Sequence, residues 1–321
     1  MGVSWIVGHN GTRAHRRMRT VGVVSPLPVL ILFGLIGACG KDLRAVEYEP
    51  STAFENHLET QLGRIFEETA AQHPDQSGFS IVRHGRKAFT ARIAMADLAE
   101  HSLDVQYYIW EADATGWILM DHLVRAADRG VRIRVLVDDI NLAGKDTRVA
   151  AMDAHPNIEV QVFNPFAHRD SRLIDFAIDL ARVNHRMHNK LMVADNALAI
   201  VGGRNIGNHY FEVALDTNFR DLDIAAAGPV VREISRVFDY FWNGDWSVPI
   251  EVLVDRPFTE TDLEGAVAEI REAIAKTSYP YPLDQDVDAL VSNLVSIRDQ
   301  FIWAPGRIVW DDPAGIRDGI A

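Results

Sequence analysis

The sequence predicts an α/β fold, a mixed β-sheet flanked by helices on both faces, and two patterns carry that expectation. Apolar and polar residues alternate over Leu103–Ile109, with Leu103, Val105, Tyr107 and Ile109 on one side, over Val131, Ile133, Val135 and Val137, and over Ile158, Val160 and Val162. A period of two is the mark of a strand. Between the first two runs, Trp117 to Ala127 repeats at helical spacing and stops at Gly130. Strand, helix and strand with short joints imply parallel pairing through right-handed crossovers. The composition agrees: 321 residues with 48% hydrophobic and 24% charged are globular rather than disordered, and long enough to bury a core.

The N-terminus stands apart. Arg13, Arg16, Arg17 and Arg19 precede an apolar run, Val29 to Ala38, too short for a bilayer span of about 20 residues but of the size of a signal-peptide core. The run ends in Ile36-Gly37-Ala38-Cys39, which resembles a bacterial lipobox, and Cys39 is the single cysteine of the chain. Residues 1–39 therefore read as a lipoprotein signal peptide with lipidation at Cys39. Gly40 and Lys41 lack the aspartate that commonly retains lipoproteins at the inner membrane, which favours the periplasmic side of the outer membrane. One cysteine excludes an internal disulfide framework and a Cys-rich zinc site.

Residues 40–79 read as a tether followed by an amphipathic helix, opened by a capping box at Thr52-x-x-Glu55, with Phe54, Leu58, Leu62, Ile65 and Phe66 on one face. The main domain, 80–250, continues past the third strand with a helix over Arg172–Arg182. Two strands, His188–Ala194 and Ala197–Val201, meet at a tight turn, Asp195-Asn196. A strand at Leu222–Ala226 leads to Gly228-Pro229, which starts a helix burying Val230, Ile234, Val237, Phe238 and Phe241. In 251–321, helices are expected at 262–276, opened by Thr261-x-x-Glu264, and at 284–300.

The chemistry concentrates in His188-Asn189-Lys190 and the residues after it. Positions two apart on a strand share a face, so an imidazole and an ammonium stand side by side with no carboxylate between them. That pair suits an anion such as a phosphodiester, whose displacement is helped by fixed donors on its equatorial oxygens. Gly202-Gly203 lets backbone approach closely, Asn205 adds a neutral donor, and a helix starting near Arg204 would aim free N–H groups at the phosphate.

The spacing His-x-Lys, four residues, Asp, six residues, Gly-Gly, then Asn, met at His188, Lys190, Asp195, Gly202, Gly203 and Asn205, resembles the HKD motif of the phospholipase D superfamily. Gln106-Tyr107-Tyr108-Ile109-Trp110, Val135-Leu136-Val137-Asp138-Asp139 and Phe219-Arg220-Asp221-Leu222-Asp223 extend the likeness over roughly residues 80–250, most closely to the bacterial cardiolipin synthase branch. The resemblance implies a phosphohistidine intermediate without metal or other cofactor. His188 is then the nucleophile or its acid partner, Lys190 and Asn205 bind phosphate oxygens, and Asp221 orients a histidine. Asp195 belongs to the motif but holds the turn if the strand runs on to it.

Lipid-directed members carry two HKD motifs, whereas one His-x-Lys is present here. The chain reads as a first half, with the start of an incomplete second half at Ile308 to Pro313, and a homodimer would supply a second His188. The expected partner is a membrane phospholipid. A net charge of −13 opposes a general nucleic-acid surface, which disfavours the alternative of a metal-independent nuclease; a non-catalytic remnant or binding module is the third reading. His185 with His188 reads as solvated or packed histidines rather than a metal pair, Asp138-Asp139 as a loop start or cap, and Tyr107, Tyr108 and Trp110 as sheet-face residues.

Overall fold

The computed structural model describes residues 48–277, 279–280 and 286–312; the expected signal peptide, Cys39 and Pro313 lie outside them. In chain order the elements are α1 (Gln61–Ala70), β1 (Ser77–Val82), α2 (Gly85–Leu98), β2 (Ser102–Tyr107), α3 (Ala114–Asp128), β3 (Arg132–Asp138), α4 (Asp146–Asp153) and β4 (Ile158–Phe163). Then follow α5 (Arg172–Ile178), α6 (Leu180–Val183), β5 (Leu191–Ala194), β6 (Leu198–Gly202), β7 (Asp223–Ala227), α7 (Pro229–Trp242), β8 (Ser247–Pro249), α8 (Ile250–Leu253), α9 (Glu260–Lys276), α10 (Val287–Arg298) and β9 (Ile302–Ala304).

All nine strands join one sheet, in the order β8-β4-β3-β2-β5-β6-β7-β1-β9. β2, β3 and β4 pair in parallel, Val105 facing Val135 and Val135 facing Val160, while every other pairing is antiparallel. The mixed α/β sheet is therefore as the sequence predicts. Alternation divides each strand between two cores. Val105, Tyr107, Val135, Val137 and Val160 pack beneath α2 and α3, whereas Leu136, Leu191, Val193 and Ala199 meet Val230, Ile234, Val237, Phe238 and Phe241 of α7. α7 has the start its sequence calls for, with Gly228 in the left-handed region at φ 85° and Pro229 in the first turn.

Several local expectations are corrected. Thr52-x-x-Glu55 opens no helix; residues 51–56 have no regular structure, a single 3-10 turn follows at His57–Glu59, and α1 begins only after Thr60, whose hydroxyl accepts from Gly63 N at 2.9 Å. A buried cation explains the difference. Arg134 lies inside the sheet against Asp104 and Asp239, at 2.7 Å each, stacks 4.8 Å from the Phe238 ring, and donates to the Ser51 carbonyl at 2.9 Å. Ala53 N also donates to Asp239, at 2.9 Å. Those bonds hold residues 48–54 as a strap against α7, so the tertiary contact overrides the local capping signal. The 172–182 helix is two short helices split at Asp179. The cap of α9 is a Thr259–Asp262 box rather than one at Thr261.

Candidate functional site

The site lies on one edge of the sheet, where parallel β2, β3 and β4 end, β6 ends and antiparallel β5 and β7 begin. The carboxyl ends of parallel strands are where α/β proteins gather ligands. β5 starts three residues later than expected, at Leu191, so His188 and Asn189 approach it as an extended lead. Lys190 is already tied to the ladder, since Gly202 N donates to its carbonyl at 3.1 Å.

His188 and Lys190 point the same way. The His188 ring sits 4.8 Å from the Tyr108 ring, and the Lys190 ammonium lies 5.2 Å from the centroid of that same ring. The imidazole is exposed; the lysine is buried and donates to the His188 carbonyl at 2.7 Å. Burial pushes the Lys190 pKa down to about 8, against the pull of Asp221 and Asp138. Burial, then the Lys190 charge, lowers that of His188, with Asp221 opposing. A neutral imidazole beside a cation at neutral pH is the protonation pattern that attack on an anionic phosphorus centre needs.

The glycine pair makes room for two carboxylates. A Cβ on Gly203 would meet Asp221 Oδ1 at 1.9 Å, and one on Gly202 would meet Asp223 Oδ1 at 2.2 Å and the Asp223 Cα at 2.6 Å. Asp221 thus rests on Gly203 within the field of His188 and Lys190. Asn205 is buried, its Oδ1 accepting from Ile109 N at 3.0 Å and its Nδ2 donating to the Tyr210 hydroxyl at 2.9 Å; one amide hydrogen is left for a ligand. No helix starts near Arg204, and that expectation is withdrawn: the segment is irregular up to a single 3-10 turn at Asn208–Tyr210. The Arg204 side chain instead closes the loop, donating to the carbonyls of Val82 at 3.0 Å and Tyr210 at 3.2 Å, and to that of Asp221.

Asp195 stands at the opposite end of β5. Its carboxylate accepts from the backbone N–H groups of Glu100, His101 and Ser102 at 3.0, 2.8 and 2.9 Å, and Asp195 and Asn196 both take φ 52°, the left-handed pair of a tight hairpin. Its place is structural, away from His188. Asp138 caps the 3-10 turn Asp139–Asn141, as a loop-start reading expects, but it does more: it also accepts from Met187 N at 2.8 Å and pairs with Arg186 at 3.0 Å. Sequence spacing gave no hint of that link across 49 residues. His185 lies edge-on to Trp246, 5.8 Å away, and among the described residues no group of three or more His, Cys, Asp or Glu is placed to hold a metal. Beside Lys190 a cleft of about 250 Å³ opens, lined by Asn189, Leu191, Val201 and Gly202, by Ile234 and Val237 of α7, and by Ile308–Asp311.

Residues 93–242 match the family described as "Cardiolipin synthase, PLD-like domain". Cardiolipin synthase C of Escherichia coli (strain K12) is 39% identical over 249 residues, 76% of this chain and 51% of that protein. The major cardiolipin synthase ClsA of Bacillus subtilis (strain 168) is 29% identical over 172 residues, 53% of this chain and 34% of its own length. The crystal structure of phosphatidylserine synthase from Haemophilus influenzae Rd KW20 aligns at a TM-score of 0.42 and 15% identity, over 66% of this chain and 47% of that one. This chain spans about half the length of Cardiolipin synthase C, and less of the other curated relatives. With its HKD residues in place on a mixed sheet, the chain belongs to the phospholipase D superfamily, in the cardiolipin synthase-like branch.

Proposed function

We propose that the chain is a phosphodiesterase or phosphatidyltransferase acting on membrane phospholipids, a reading supported by relatives named cardiolipin synthases. The single observation that supports it most is the shared placement of His188 and Lys190 on Tyr108 at the sheet edge. In this reading an imidazole nitrogen of His188 attacks phosphorus, an N–P bond forms, and the bond to the departing alcohol breaks as that oxygen takes a proton from a second histidine. A new alcohol, or water, then gives its proton to that second histidine and forms an O–P bond as the N–P bond breaks and releases the imidazole. Lys190 carries the fixed positive charge for the phosphoryl oxygens, and the spare Asn205 hydrogen joins it. Asp221 keeps the His188 ring oriented. The second histidine comes from a second copy of the chain, and Cys39 anchors the body at the cell envelope.

Expression in a host lacking its own cardiolipin synthases tests the reading. Cardiolipin or phosphatidic acid rises in the lipid mass spectrum with the unaltered chain and stays at background with His188→Ala. Equal lipid profiles from the two chains sink it.

A further inference from the structure

On the face of the sheet away from α7, the packing leaves a cavity of about 70 Å³. Ile133, Val135 and Val137 of β3 line it, with Ile158 and Val160, the β4 neighbours of the first two. It therefore follows β3 for about 13 Å at the rise of a strand. α3 contributes Met120 and Leu123, and α4 contributes Val149 and Met152. Apart from Glu111, Lys145 and Arg148, the lining is hydrocarbon, indole ring and thioether. Native interiors hold few voids larger than one water, because the lining of a void forfeits contacts. This one has room for several waters and offers them few partners. It reaches solvent at Ala112, which is exposed, between half-buried Glu111 and Lys145. That mouth is stitched to the motif. Glu111 N donates to the Ile206 carbonyl at 2.9 Å, Ile206 N to the Ile109 carbonyl at 3.1 Å, and Ile109 N to Asn205 at 3.0 Å. Lys145, at the mouth, turns its ammonium to the Trp110 carbonyl at 3.1 Å.

We infer that this cavity is a channel for one straight hydrocarbon chain, which enters past Ala112 and runs along β3. A segment of a second copy would bring an N–H and a C=O per residue to a lining that has no partner for them. A fused ring system is too wide, since about 70 Å³ drawn out along β3 is a thin channel. An unbranched chain satisfies both limits and restores the contacts that the lining lacks. With a phosphate on Lys190 and Asn205, an acyl chain of the same phospholipid is the chain at hand. That identification rests on the proposed function; the fit of a chain to the channel does not.

Calorimetric titration of the full chain tests the inference, with His188→Ala present so that no ester is turned over. The probes are n-alkyl phosphates from hexyl to tetradecyl and n-alkanols from hexanol to dodecanol, all kept below aggregation. Affinity rises about fourfold per added methylene and levels off at about ten carbons, the length that the channel admits. Val149→Phe and Met120→Phe fill the channel from half-buried positions. Each weakens the decyl probes about tenfold or more without lowering the thermal midpoint. The alkanols follow the same slope as the phosphates, so the channel stands even where the phosphate reading fails. On that reading each phosphate binds more tightly than the alcohol of its length, and Lys190→Met removes the difference. Affinity that climbs through the series without levelling overturns the inference, as does unweakened binding by either folded filling variant. The levelling is read with every channel residue native, so it decides the matter if neither filling variant folds.

Discussion

The Asp138 carboxylate accepts the backbone N–H of Met187 at 2.8 Å, which fastens the end of β3 to the residue just before His188. The same group holds Arg186 and caps the turn after β3. Burial nonetheless pushes its pKa up to about 6. Asp138→Ala leaves the Met187 N–H without its acceptor and Arg186 without its carboxylate, holding only the Asn164 carbonyl at 2.8 Å, and a loss of about 3–5 kcal/mol in urea unfolding is expected. Asp138→Asn costs less. Because the native pKa is above the unfolded one, the native state binds more protons between about pH 4 and 6. The stability of the unaltered protein relative to Asp138→Asn therefore falls as pH rises through that window.

Lys190 gives activity an alkaline limit. With its pKa near 8, the ammonium is lost above that pH, and turnover falls there; in Lys190→Arg the limb moves upward, because guanidinium stays charged. Stability moves the other way. A lysine whose native pKa is depressed costs folding energy while charged, and the cost is relieved between about pH 8 and 10.5. Lys190→Met is thus more stable than the unaltered chain at pH 7, and its advantage shrinks as the pH is raised.

The two glycines separate function from folding. In Gly203→Ala the added carbon meets side-chain atoms of half-exposed Asp221, which can swing outward. Activity should drop at least about tenfold, with a thermal midpoint within a few degrees of the parent. Gly202→Ala meets the backbone of Asp223, whose buried carboxylate pairs with Arg92 at 2.9 Å. There the loss is in stability, about 3 kcal/mol or more.

Asp195→Ala removes the acceptor of three backbone N–H groups, and a cost of about 2–4 kcal/mol is expected. Turnover of the remaining folded enzyme stays near that of the parent if the residue's work is confined to the hairpin. A kcat lost in full with the fold intact would return it to the chemistry.

Where burial followed a clean period, the sequence was legible. β2, β3, β4 and α7 fall within a few residues of their expected bounds, and all five apolar residues expected beneath α7 are buried. α2 escaped because Arg92 sits on its inward face, among the residues that should read as apolar, and its partner Asp223 is 131 residues away. The strap failed for the same cause, since Arg134 acts across 83 residues. At the site, the shared face of His188 and Lys190 follows from spacing alone. The surface they share does not: Tyr108 reads as an ordinary sheet residue, and only the fold sets its ring under both. Local pattern records which side chains go inward, and long-range ion pairs leave no trace in it.

β5 occupies the fifth of nine places in the sheet, hydrogen-bonded on both sides, to β2 and to β6. Lys190 joins that central ladder, whereas His188 is three residues outside the strand. The ammonium, however, is bonded to the His188 carbonyl at 2.7 Å, so cation and imidazole hang from one short stretch of backbone that the central ladder anchors. Whatever shifts that stretch carries the two together and keeps their spacing constant.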